Sequence, residues 1–105
     1  MDAFKEKLQA LHERYNEITQ ELMSDEVASN PSLITKLGKE QAHLEAPSQA
    51  YTDLCNLDNR IAEANELLKE DDPEVVEMAK MELEECEPER EKLLEHIQHL
   101  LIPRD

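Results

Sequence analysis

Apolar side chains recur along this sequence at alternating steps of four and three. Phe4, Leu8, Leu11, Tyr15, Ile18 and Leu22 form the first such series. It lays one continuous stripe along a helix and suits a helical partner better than a flat sheet. The stripe ends near Met23, and SDEVASNP follows, rich in capping and turn residues. Asn30 and Pro31 then supply a start signal: a side chain that can cap, and a residue with no N–H to leave unpaired.

The spacing predicts a second helix over about 31–69, with a seam of Leu33, Leu37, Leu44, Tyr51, Leu54, Ile61 and Leu68. At ~1.5 Å per residue it would be on the order of 55 Å long. Pro47 falls inside it, where it removes one backbone hydrogen bond and crowds the preceding turn, so a kink or short break is expected. EDDPEVVEMA repeats the start signal more strongly. Asp72 caps, Pro73 takes the first helical position, and Glu74 and Glu77 sit near the positive end of the helix dipole. So short a joint returns the third helix antiparallel to the second.

Val76, Ala79, Leu83, Cys86, Arg90, Leu93, Ile97 and Leu100 keep three–four spacing along that third helix. Arg90 is the polar member, and it can bury its stem while its charge stays at the edge beside a carboxylate of the second helix. Pro88 predicts a second kink. No segment alternates apolar and polar residues over a strand's length. The expected fold is all-α: an antiparallel three-helix coiled-coil bundle with long second and third helices, one domain over 1–105.

Charge sharpens this picture. The 105 residues carry 26 acidic against 11 basic side chains, a net charge of -15, with 39% hydrophobic residues and a single glycine. Such a chain is too apolar for wholesale disorder and too polar for a thick core. One glycine argues against a fold of many tight turns. A charge this negative repels phosphate, so no direct nucleic-acid contact is expected and a basic protein is the natural partner. MDAFKEKLQ lacks the apolar core of a signal peptide, and no stretch approaches ~20 apolar residues. A cytoplasmic protein without membrane attachment is the expectation.

Candidate chemistry is sparse. His96 and His99 stand one helical turn apart beside Glu95, but a metal site needs a third or fourth convergent ligand. Cys55 and Cys86 lie at nearly equal distance from the turn near Asp71 and read as packed thiols rather than a disulfide or redox pair. The carboxylates around the third helix, from Glu70 to Glu95, read as a solvated face, since acid–base work requires a cleft that shifts their pKa values. Gly38 is alone, so no loop cradles phosphate. Ser24, Ser29, Ser32 and Ser48 lack a nucleophile context. No catalytic, cofactor-binding or metal-binding residue is assigned, and the chain is not expected to be an enzyme.

Particular strings carry a more specific signal. MSDEVASNPSLITKLGKEQAHLE, then AYTDL, EDDPEVVEMAKMELEE and LLIPRD occur in this order. From about Leu8 to Asp105 they resemble the N-terminal domain of the bacterial peptide chain release factor 1 family, with DDPEVVEMA and LLIPRD favouring the type 1 over the type 2 factors. In one departure, Ala46 intervenes between Leu44-Glu45 and Pro47, where the family often has proline directly.

The resemblance implies translation termination at UAA and UAG by a cytoplasmic, methylated factor that triggers peptidyl-tRNA hydrolysis. The family's codon-reading tripeptide and Gly-Gly-Gln loop lie in later domains, and a sequence with one glycine contains no Gly-Gly. The implied partner of this domain is the ribosome, near the stalk base around ribosomal protein L11, with a functional link to the GTPase release factor 3. LLIPRD then reads as a junction near 100–105, with Leu101 and Ile102 off the seam and expected to be exposed. The competing expectation is a free-standing acidic coiled-coil adapter or chaperone for a basic protein.

Overall fold

The computed structural model describes residues 3–102, which form four helices and, among the described residues, no strand. They are α1 (Ala3–Leu22), α2 (Asp25–Ala28), α3 (Pro31–Leu67) and α4 (Pro73–Leu101). The all-α reading holds, with α3 and α4 the long helices. The addition is α2, a single turn where the sequence suggested only a loop. The Ser24 hydroxyl caps it, accepting from the Val27 N–H at 3.3 Å.

Both predicted starts are present. The Asn30 side chain accepts from the Leu33 N–H at 3.2 Å, and Asp72 accepts from the Glu74 N–H at 3.0 Å with Pro73 directly behind it. Helix α3 ends at Leu67, two residues before the predicted limit, and Leu68–Glu70 close it through turn hydrogen bonds. Of the two outcomes expected at Pro47, a kink or a short break, the break does not occur. Helix α3 runs through it, and Pro88 likewise lies inside an uninterrupted α4. A proline in a helix interior costs ~3 kcal/mol. Pro47 is buried, so packing on its ring offsets part of that loss.

The chain divides into two compact units, Met1–Tyr51 and Thr52–Asp105. In the first, α1 runs antiparallel to the opening half of α3. Arg14 reaches Glu40, Gln41 reaches Thr19 and His12 reaches Ser48, so rising numbers on one helix meet falling numbers on the other. The Ile18, Val27 and Leu37 side chains form a core cluster, with Leu22, Leu33 and Leu44 packed against it. Val27 explains the short helix: α2 turns the chain and delivers one apolar side chain into the end of the hairpin.

In the second unit, the later part of α3 pairs antiparallel with α4. Leu54, Leu57, Ala64, Ala79, Cys86 and Ile97 are buried. Every member of the seam predicted for α4 is buried or half-buried, and Arg90 is among them. Its Nε donates to Asp58 Oδ1 of α3 at 2.8 Å, as the seam position suggested. The seam drawn for the second helix was incomplete, since it omitted Leu57 and the small buried residues Ala50 and Ala64. Leu101 is half-buried rather than exposed, whereas Ile102 is 57% exposed as expected. Pro103–Asp105 of the junction string lie outside the described residues.

Candidate functional site

Charge organises the surface of both units through arginine. In the first, Arg14 presents its guanidinium fork to Glu40, with Nε–Oε2 2.7 Å and Nη2–Oε1 3.0 Å. Its Nη1 also donates to Glu17 and Glu21, each at 3.1 Å. The second unit repeats the device: Arg60 grips Glu82 at 2.9 and 3.0 Å and reaches Glu89 at 3.3 Å. Bidentate pairing of this kind fixes geometry as well as adding energy. Hydrogen bonding from Arg14 holds the Glu40 carboxyl below its usual range, and hydrogen bonding from Arg60 does the same for Glu82. Both guanidinium groups are pushed further from deprotonation. Each arginine thereby draws carboxylates of one or both helices around one cation, the role of a strut within an acidic surface.

His12 and Ser48 look at first like a nucleophile and its base, with Nδ1 and Oγ 2.7 Å apart. The surroundings argue otherwise. Ser48 is buried, the Asn16 amide engages the other ring nitrogen at 3.3 Å, and the ring tilts against Tyr51 at a centroid distance of 5.0 Å. A nucleophile needs space for a substrate beside it. This pair instead satisfies a buried hydroxyl. Ser24 caps α2 and Ser29 donates to the Glu26 carbonyl.

His96, His99 and Glu95 are all exposed, and among the described residues no group of three or more His, Cys, Asp or Glu converges as a metal site. Cys55 is half-buried and Cys86 buried, both as free thiols. Burial pushes the Cys86 thiol up, the opposite of activation for nucleophilic chemistry. No helix among the described residues is long and apolar enough to cross a membrane.

What the second unit does offer is a groove of about 320 Å³ between α3 and α4, close to their connecting turn. Arg60, Glu63, Ala64, Leu67, Met78, Ala79 and Glu82 line it. The buried Ala64 and Ala79 keep it deep, while Leu67 (43% exposed) and Met78 (69%) stand open to solvent. Met81, one turn beyond Met78, is 63% exposed. Sequence reasoning passed over these methionines because they lie off the α4 seam. Their distance from the seam was itself the available signal of exposure.

The PCRF domain family model matches residues 11–105. Among curated relatives, peptide chain release factor 1 from Sulfurovum sp. is 43% identical over 102 residues, covering 97% of this chain and 28% of the relative. The proteins of the same name from Geobacillus sp. and Listeria welshimeri are 37% and 38% identical over 101 residues, each covering 95% of this chain and 28% of the relative. This chain therefore spans little more than a quarter of the length of these relatives. No solved structure matches it.

Proposed function

Because the chain belongs to the PCRF domain family, we propose that it is the helical docking domain of a bacterial peptide chain release factor. The observation that carries this reading is the match over residues 11–105, supported by relatives that all bear one name. A whole factor of this kind would direct termination at UAA and UAG in the cytoplasm, with codon reading and peptidyl-tRNA hydrolysis performed by other domains. The present domain would hold the factor near the ribosomal stalk base, in the region of ribosomal protein L11, and would connect functionally with the GTPase release factor 3.

The physical features suit docking. An acidic surface repels RNA phosphate and attracts basic protein, so it can orient a factor on a ribonucleoprotein without competing for the RNA contacts made elsewhere. The arginine clamps give each unit a fixed surface to present.

A chimera tests the proposal. This chain replaces the matching N-terminal segment of the Geobacillus sp. factor, and peptide release is measured on ribosomes programmed with UAA, UAG or a sense codon. Release at both stop codons within a few-fold of the parent factor is expected, and the isolated chain should release nothing. A folded chimera that fails to bind ribosomes, beside a chain that binds basic proteins away from them, would replace this reading with the adapter.

A further inference from the structure

The groove beside Met78 has features that a rigid acidic strut does not need. Two large apolar side chains, Leu67 and Met78, stay open to solvent around one depression, and the exposed Met81 follows Met78 one turn along α4. Two of these three are methionines, whose unbranched and polarisable chains adapt to differently shaped apolar partners. The surrounding charge is one-sided. Between residues 60 and 82 there are eight carboxylates against three cations, Arg60, Lys69 and Lys80. Arg60 is already gripped by Glu82, and Lys69 by Glu66 at 2.9 Å. Glu63 and Glu82 line the groove, and Glu66, Glu74 and Glu77 are exposed on neighbouring turns of the two helices.

We propose that this groove seats a basic amphipathic helix of a protein partner, its apolar face on Met78 and Met81 and its lysines or arginines on the glutamates around them. An apolar centre with an acidic rim selects for that chemistry. A second copy of this chain would bring like charge to the same rim, and RNA would bring phosphate. Helix-in-groove recognition lays the apolar face of a helix into such a depression, with anchors at steps of three and four along the partner. This inference goes beyond the ribosomal reading and does not depend on it, since it concerns recognition of a helix class rather than the assembly that contains it.

The test uses the 105-residue chain and a fluorescent peptide of about 18 residues made of leucine and lysine in amphipathic order, with a scrambled peptide of equal composition as control. Anisotropy titrations at 0.15 M salt should show the ordered peptide binding at least about tenfold more tightly than the scrambled one. Met78→Gln and Met81→Gln should each weaken it about tenfold or more, whereas Met23→Gln, at an exposed methionine of the other unit, should change it less than twofold. With carbon-13-labelled methionine methyls, the Met78 and Met81 signals should move and that of Met23 should not. Equal binding of the scrambled peptide, indifference to both the Met78 and Met81 substitutions, or tighter binding of a homopolymeric RNA with the same sensitivity would each overturn the proposal. Because the chimera assay reads peptide release, failure here and failure of the docking role give separate results.

Discussion

Truncating Leu54 to alanine should cost the second unit much of its stability. Leu54 is fully buried, within the stretch of α3 that pairs with α4. The substitution removes three carbon atoms, worth about 2.4 kcal/mol at ~0.8 kcal/mol per buried methylene. A cavity term adds to this where neighbours cannot close in, and measured Leu-to-Ala changes in cores span about 2–5 kcal/mol. The Arg90–Asp58 pair ties α3 to α4 one turn along from Leu54 and limits collapse, so a loss of about 3 kcal/mol is expected. For a chain of this size that is on the order of 12–24 °C in melting temperature. Urea unfolding followed by helical circular dichroism at 0.15 M salt measures it, with Met81→Ala as control because Met81 is 63% exposed. The control should stay within about 0.5 kcal/mol of the parent. A Leu54→Ala loss below about 1 kcal/mol, or a control that falls as far, would refute the packing described for this unit.

Gly38→Ala should stabilise the chain by about 0.5–1 kcal/mol, because the residue lies inside α3 and an added Cβ meets nothing within 4 Å; thermal melting checks it. Arg60→Met should destabilise at neutral pH, with the gap from the parent narrowing as pH falls below 4.5. The sign follows from Glu82: its folded pKa is depressed, so the stabilisation is present above the unfolded value of 4.5 and lost as pH falls through the folded value. Melting curves between pH 7 and pH 3 read this directly, and a constant gap would show that lost packing rather than charge pairing dominates. Iodoacetamide should label Cys55 well before Cys86, as resolved by peptide mass spectrometry, because Cys86 is buried and its thiol is pushed up. Added salt should raise the melting temperature between low and moderate ionic strength, since a net charge of -15 leaves repulsion ahead of the arginine pairs.

Helix starts and the α4 seam were readable from sequence because each rests on short-range chemistry. Asn30–Pro31 and Asp72–Pro73 act over one turn, and the α4 series from Val76 to Leu100 keeps one period throughout. The buried set of α3 was harder to read. Ala50 and Ala64 are small enough to pass as neutral in a hydrophobic pattern, yet small residues are what let helices approach closely. Pro47 signals a kink or a break, and the burial of its ring helps α3 continue through it without a break. The Arg14 and Arg60 clamps depend on which turn of one helix faces which turn of the other, and that register is a tertiary fact absent from either segment alone. Arg90 could be placed because it interrupts an otherwise apolar seam. The groove was missed for the converse reason: Met78 and Met81 add to a hydrophobic count without joining the seam that such a count is used to find.

Pro47 also determines how α3 would report its own motions. Having no N–H, it leaves the His43 carbonyl without the usual donor four residues on, and it supplies no proton of its own to exchange with deuterium. Amide exchange would therefore trace α3 as two readable stretches with a silent position between them. The amides just after it become the local gauge. Ser48 is buried there and joined to His12 of α1, so its exchange rate measures how often the first unit loosens over a helix missing one of its own rungs.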